Sequence, residues 1–319
     1  MSPPVIRLCG LGWALPPAVR TNAELAEHLG IDEAWIHERT GIQRRHVLTA
    51  DESLVELATQ AGRAAMAEAQ VPIDMVVVAT VTAPEAAPAL ACRVAAALNL
   101  TGPSYDVSAA CAGFLYGLAA ARAHLLAGDA CAVLVVGADR LSDRADAADR
   151  DTAVLFGDGA GAVVLAVGPG PGAVLDAVVL GGDPTQADAL RLDKVVHMQG
   201  RLVYRQAMRH LEAALHGICA RVGWAPEDLD LVVPHQANGR LLEAVAHRLN
   251  LGPAPGSSAR SGKIFNDIEE TGNTSAASIP VALGRARAAG RLRAGHRVVL
   301  VGLGAGLVWG AAALRWGGD

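Results

Sequence analysis

The chain has 319 residues, 52% of them hydrophobic and only 3% aromatic, with 35 glycines and a net charge of −5. That length supports a large buried core and suggests two domains, while the mild acidity excludes a global basic field for nucleic acid. The longest uncharged apolar run, Val298 to Leu314, carries four glycines between Arg297 and Arg315; it is too short and too broken for a membrane span and predicts two buried strands around a glycine turn. The five cysteines (Cys9, Cys92, Cys111, Cys131 and Cys219) are odd in number and lack C-x-x-C spacing. This argues against a disulfide framework or a zinc site and for a reducing, cytoplasmic setting. The opening Met1-Ser2-Pro3-Pro4 has no basic segment leading into an apolar one, so no signal peptide is expected.

In chain order, helical patterns are predicted over Leu54 to Ala69, Cys92 to Leu98, Gly113 to Leu126, Tyr204 to Val222 and Gly239 to Leu249. Between them, Met75 to Val81, Tyr105 to Val107, Ala132 to Gly137 and Leu229 to Val233 read as strands, three of them continuous apolar runs suited to burial on both faces. The alternation predicts an α/β layered fold. Gly157-Asp158-Gly159-Ala160-Gly161-Ala162-Val163 recurs as Gly302-Leu303-Gly304-Ala305-Gly306-Leu307-Val308. The echo suggests a duplicated α/β unit, with a strand–glycine turn–strand closing each half. The Pro/Gly-rich stretch 168–172 is the best boundary, giving halves 1–170 and 171–319. Neither copy has the G-x-G-x-x-G or G-x-x-x-x-G-K-[S/T] pattern of a phosphate loop, so these glycines are expected to permit close packing and tight turns.

Three segments carry chemistry. Cys111 lies in Ser108-Ala109-Ala110-Cys111-Ala112-Gly113-Phe114, between a strand and a helix N-terminus, where backbone N–H groups and the helix dipole stabilise a thiolate. His235 follows a buried strand in Pro234-His235-Gln236-Ala237-Asn238, and Asn273 stands at the entry of a helix of small residues in Gly272-Asn273-Thr274-Ser275-Ala276-Ala277-Ser278. The histidines at 28, 37, 124, 210, 216 and 247 read as solvated helical positions. The alternating charges from Asp139 to Asp151 read as a solvated loop, Arg150 excepted, with no metal. Cys, His and Asn together allow two chemistries. In a cysteine protease the His deprotonates the thiol and the Asn orients it. Alternatively the thiolate takes an acyl group while imidazole and amide N–H groups donate to one enolate oxygen. The protease signature around the cysteine is absent.

These motifs, with Leu155-Phe156-Gly157-Asp158-Gly159, Trp35-Ile36, Arg39-Thr40-Gly41-Ile42 and Met198-Gln199-Gly200-Arg201, resemble the β-ketoacyl-acyl carrier protein synthase III family in order along nearly the whole chain. The resemblance implies the thiolase fold, two fused halves in a five-layered αβαβα body, and a homodimer that spans no membrane. It implies an acyltransferase whose Cys111 is loaded by acyl-CoA, a substrate rather than a cofactor. Decarboxylative condensation with malonyl-acyl carrier protein follows, with His235 and Asn273 stabilising the enolate. The backbone N–H of Cys111 and one from Ala305 or Gly306 would form the oxyanion hole. Trp35, Arg39, Arg150 and Asn238 match CoA-contacting positions, and Arg205, Arg240, His247 and Arg248 match the basic patch that meets the carrier protein.

Three departures bear on the acyl pocket. Ala87 stands where relatives often carry a bulky residue reaching across the dimer, Leu303 replaces a common phenylalanine, and the segment from Gly168 to Met198 is short for the family. A primer bulkier or longer than acetyl is therefore expected, since each buried CH₂ is worth roughly 0.8 kcal/mol. Two other readings are acyl transfer to a hydroxyl or amine, and a non-catalytic acyl-CoA or partner-binding subunit. The complete Cys–His–Asn set speaks against the second.

Overall fold

The computed structural model describes residues 4–253 and 262–317; Met1, Ser2 and Pro3, on which the leader expectation partly rests, lie outside the described residues. The chain opens with β1 (Ile6–Ala14), β2 (Val19–Thr21), α1 (Asn22–Leu29), α2 (Glu33–Thr40), β3 (Arg44–His46), α3 (Leu54–Ala69) and β4 (Met75–Ala79). Then come α4 (Leu90–Ala97), β5 (Ser104–Val107), α5 (Gly113–Ala127), β6 (Ala132–Arg140), α6 (Arg150–Ala153) and β7 (Asp158–Val167). Next are β8 (Ala173–Gly182), β9 (Leu190–Leu192), β10 (Val196–Met198), α7 (Gly200–Val222), β11 (Leu231–Pro234) and α8 (Gly239–Arg248). The chain closes with α9 (Ile268–Thr271), α10 (Ser278–Ala288), β12 (Arg297–Gly304) and β13 (Val308–Arg315).

Local rules account for α3. Its apolar residues Leu54, Leu57, Ala58, Ala61 and Ala65 keep helical spacing, Ser53 caps the first turn by accepting from Glu56 N–H, and Gln70 ends it in a left-handed conformation. The small residues let it lie flat on β1: a Cβ on Gly10 or Gly12 would stand 2.1 Å from Ala65 O or 2.3 Å from Ala61 O.

One nine-stranded mixed sheet runs in the order β11-β12-β13-β8-β1-β7-β6-β4-β5. Within it β4–β6 is parallel while β6–β7 and β7–β1 are antiparallel; β11–β12, β12–β13 and β13–β8 repeat that sequence of directions. The parallel bridge between Val232 and Ile264 stands beside β11 as β5 stands beside β4. The two sections of the sheet are joined by the Arg7–Val174 and Leu8–Ala173 pairs.

Helices sort into layers by what they touch. α5 and α10 contact strands of both sections and supply Phe114, Leu115, Leu118, Ile279 and Leu283 to the central core. α3 and α4 cover one outer face and α7 and α8 the other. The result is an αβαβα stack. α5 with the turn before it (Ala110–Ala127) is apolar enough to pass for a membrane span, but it is the middle layer of this stack.

Two expectations change. The glycine echo is not the structural repeat: Gly157 to Gly161 leads into β7 and runs along it, whereas Gly302 and Gly304 lie in the second half of β12. Glycines at alternate strand positions share one face. That of Gly157, Gly159 and Gly161 carries the 271–281 segment, at 2.6 Å from Thr271 O, 3.3 Å from the Thr274 side chain and 2.8 Å from Pro280 for added Cβ atoms. The stretch from Asp139 is not wholly solvated either. Asp139 is fully buried, because Val81 N–H, Ala276 N–H, Thr80 Oγ1 and Thr82 Oγ1 all donate to its carboxylate.

Candidate active site

Cys111 sits in a 3-10 turn, Ala110–Ala112, between β5 and α5, after Ala110 at φ 46°. A non-glycine residue in the left-handed region is strained and is held there by its surroundings. Here the bare face of β12 does the holding: a Cβ on Gly304 would be 2.6 Å from Ala109 O and 2.9 Å from Cys111 N. Gly302 on the same face receives the His235 Cβ, at 3.3 Å. Asn273 arrives on the loop after α9, its N–H donating to Leu155 O (2.9 Å) and its C=O accepting from Gly157 N–H (3.0 Å).

The three side chains line one cavity of about 540 Å³, together with Trp35, Arg150, Asn238, Leu303 and Ala305. Local bonds orient two of them. Asn273 Oδ1 accepts from Ser275 N–H (2.9 Å), the cap geometry expected at a helix entry, and this leaves the NH₂ without a protein partner among the described residues. His235 Nδ1 is 2.6 Å from Ser278 Oγ. That oxygen also accepts from Gln236 N–H at 3.3 Å; in the tautomer in which the Ser278 hydroxyl donates to Nδ1, the ring carries its own N–H on Nε2. Two neutral donors, Nε2–H and Nδ2–H, thus belong to groups on the wall around the sulfur.

Burial dominates the electrostatics. It pushes His235 down to about 3, so the ring is neutral throughout the physiological range. It pushes the Cys111 thiol up to about 12; the Asp139 charge adds to the rise, and the Ser275 hydroxyl opposes it. Burial thus acts against the thiolate that the N-terminus of α5, two residues after the sulfur, favours.

Trp35, on α2, has Arg150 and Arg39 guanidinium carbons 5.2 and 5.6 Å from its ring centre at the cavity mouth. Asn238 caps α8, accepting from Arg240 N–H and Leu241 N–H, and donates to Arg39 O, so its side chain ties α2 to α8. Arg205 and Arg240 share an adjoining depression with Arg39 and Arg201, the last missed in the sequence although it lies within a quoted motif. His247 is exposed, and Arg248 is drawn away by an ion pair with Glu212 (2.7 Å). Leu303 is buried against the cavity. Ala87 is exposed and outside its own chain's cavity, and Gly306 turns the chain at φ 137° without lining it. Leu190, Leu192, Val196 and Met198, from the short 168–198 segment, line it with Val203, Ala207 and Leu211 of α7. His210 is not solvated: it is buried and stacked on Trp309 at 3.9 Å between ring centres.

Comparison with known proteins follows the same lines. Residues 105–184 match the family model described as 3-oxoacyl-[acyl-carrier-protein] synthase III, and residues 219–316 match the model of its C-terminal region. A β-ketoacyl-[acyl-carrier-protein] synthase III of Pseudomonas aeruginosa is 44% identical over 97% of this chain and 96% of its own length. The crystal structure of a 3-oxoacyl-(acyl carrier protein) synthase III from that organism superimposes with a TM-score of 0.92 at 44% identity, covering 98% of each chain. The priming β-ketosynthase of a polyketide biosynthetic pathway superimposes at 0.90 with 33% identity, over 100% of this chain and 98% of that one.

Proposed function

The chain belongs to the 3-oxoacyl-[acyl-carrier-protein] synthase III family of thiolase-fold condensing enzymes, and from that premise we propose how its own residues divide the reaction. Cys111 Sγ attacks the carbonyl carbon of an acyl-CoA, and the CoA thiolate leaves. Malonyl-acyl carrier protein then enters and loses CO₂. His235 Nε2–H and Asn273 Nδ2–H donate to the enolate oxygen, and the carbanion attacks the acyl-Cys111 thioester, expelling the Cys111 sulfur.

The observation that carries this reading is that Nδ1 of His235 and Oδ1 of Asn273 are both engaged by protein groups, Ser278 Oγ and Ser275 N–H. Each side chain therefore offers the cavity a neutral donor. A base at His235 would need a far higher pKa than about 3. Two neutral donors also favour condensation over simple acyl transfer, which forms no enolate.

Arg39, Arg150 and Trp35 hold the CoA end, and Arg201, Arg205 and Arg240 meet the acidic carrier protein. Backbone N–H groups of Cys111 and of the 305–306 turn serve as the oxyanion hole. The chain is proposed to act as a homodimer in two halves, 1–170 and 171–319, with Ala87 entering the partner's acyl pocket; among the described residues β5 is an edge strand at one end of the sheet. The primer is proposed to be longer or bulkier than acetyl, because Leu303 takes less room than a phenylalanine and shares an aliphatic wall with Leu190, Leu192 and Val196.

Intact-mass measurement of Cys111 loading from a panel of acyl-CoAs, with and without Leu303→Phe, tests the assignment. Longer or branched groups should load in preference to acetyl, and Leu303→Phe should cut their loading about tenfold or more. Clear preference of the wild type for acetyl ends the primer proposal.

A further inference from the structure

Arg45, on β3, is 1% exposed, and burial pulls its guanidinium down to about 10, so it stays charged at neutral pH. Among the described residues no carboxylate bonds to it. Nη1 donates to Arg20 O (3.2 Å) and Asn22 Oδ1 (2.9 Å), Nη2 donates to Val154 O (2.8 Å), and Nε has no partner. Glu24, whose charge favours the cation, is held at Thr21 in the cap of α1. A buried cation without an ion pair costs stability, and apolar side chains of similar volume often serve a core as well or better. Packing alone does not account for an arginine here.

What Arg45 touches is the frame of Asn273. The strip 155–157 brackets that residue: Asn273 N–H donates to Leu155 O, its C=O accepts from Gly157 N–H, and Phe156 and Asn273 form an isolated parallel bridge. The Arg45 stem lies against both chains of the bridge. A Cβ added to Gly272 would stand 2.9 Å from the Arg45 Cβ, and one added to Gly157 would stand 3.1 Å from it. The Arg45 head holds the carbonyl of Val154, one residue before the strip. Two residues earlier in the chain, Gln43 N–H donates to Glu269 O (2.9 Å) on α9, which leads into Asn273. The segment 43–45 is thus fastened to both chains of the bridge, while Arg45 itself does not line the cavity.

We propose that Arg45 is a positioning residue for condensation: through Val154 and its contacts with Gly157 and Gly272 it fixes the bridge that aims the Asn273 amide at the enolate. The proposal rests on the role given to Asn273 above. It separates the two half-reactions, because decarboxylation uses the Asn273 amide and loading of Cys111 does not. A shift of the bridge by roughly 1 Å is worth about a hundredfold in rate.

The test is Arg45→Met, alone and combined with Asn273→Ala, read by intact mass for loading at saturating acyl-CoA and by CO₂ release from malonyl-acyl carrier protein. Alone, it should load Cys111 within about threefold of the wild-type rate, while kcat for CO₂ release falls about tenfold or more and KM for the malonyl substrate stays within about threefold. In the Asn273→Ala background the same change should cost less than about twofold, since the residue it acts through is gone. A merely structural role lowers both half-reactions together and multiplies the loss in Asn273→Ala; either result overturns the proposal. Should Arg45→Met fail to fold, Arg45→Lys, which keeps the charge but not the fork spanning Asn22 and Val154, is held to the same pattern. Unchanged CO₂ release in Asn273→Ala itself would overturn the role of Asn273 and this proposal with it. A loss there without one in Arg45→Met overturns this proposal alone.

Discussion

Gly304→Ala probes how tightly the nucleophile is held. The new methyl would lie 2.6 Å from Ala109 O, 2.8 Å from Ala112 N and 2.9 Å from Cys111 N, all backbone atoms of one strained turn. Ordinary contact begins at 3.4 Å, so the turn must retreat by 3.4 − 2.6, about 0.8 Å. Overpacking of this kind costs about 1–3 kcal/mol, and a misplacement of roughly 1 Å costs about a hundredfold in rate. The variant should melt several degrees lower by calorimetry and form acyl-Cys111 about a hundredfold more slowly by intact mass. Acylation at the wild-type rate, with the melting temperature within a degree, would refute the view that β12 sets the position of the sulfur.

Ser278→Ala should spare loading of Cys111 but slow CO₂ release from malonyl-acyl carrier protein roughly 10- to 100-fold, because it frees the His235 tautomer and leaves the buried Gln236 N–H unpaired; equal loss of both half-reactions contradicts this. The depressed pKa of His235 sets a sign for stability. The unfolded chain binds the imidazole proton below about 6.5 and the folded one only near 3, so this group costs stability as pH falls through that window, by at most about 1.4 kcal/mol per unit. Asp139 and Asp158, both raised by burial, act in the opposite sense, their contribution falling as pH rises above the ordinary carboxylate range. The comparison is therefore between wild type and His235→Gln in denaturant titrations, where the variant should gain on wild type on acidification; a constant gap from about pH 7 to about pH 4.5 refutes it.

Local patterns were the readable part of this chain. Leu54 to Ala69 is set by its own apolar spacing and cap, and the sequence places its ends where the structure does. The run from Val298 to Leu314 folds as the expected pair of strands, β12 and β13. β1 is harder to see because Gly10 and Gly12 interrupt its apolar run, and their reason is a helix more than forty residues later. Asp139 looks solvated beside Arg140 and Asp143; its donors come from Val81 and Ala276, which only the fold brings near. His210 looks like one more helical histidine until Trp309 covers it. Cys111, His235 and Asn273 are each legible in their motifs, whereas Ser275 and Ser278 pass as small helix residues, since their meaning depends on what stands across the cavity.

The division of labour within the cavity rests most directly on Asn273→Ala. Incubated with a loading acyl-CoA and malonyl-acyl carrier protein, it should accumulate acyl-Cys111 by intact mass at close to the wild-type rate, while CO₂ release falls about 10²–10³-fold, the usual effect of removing one donor from a developing oxyanion. Loss of both half-reactions to the same extent, or CO₂ release at the wild-type rate, would contradict the account.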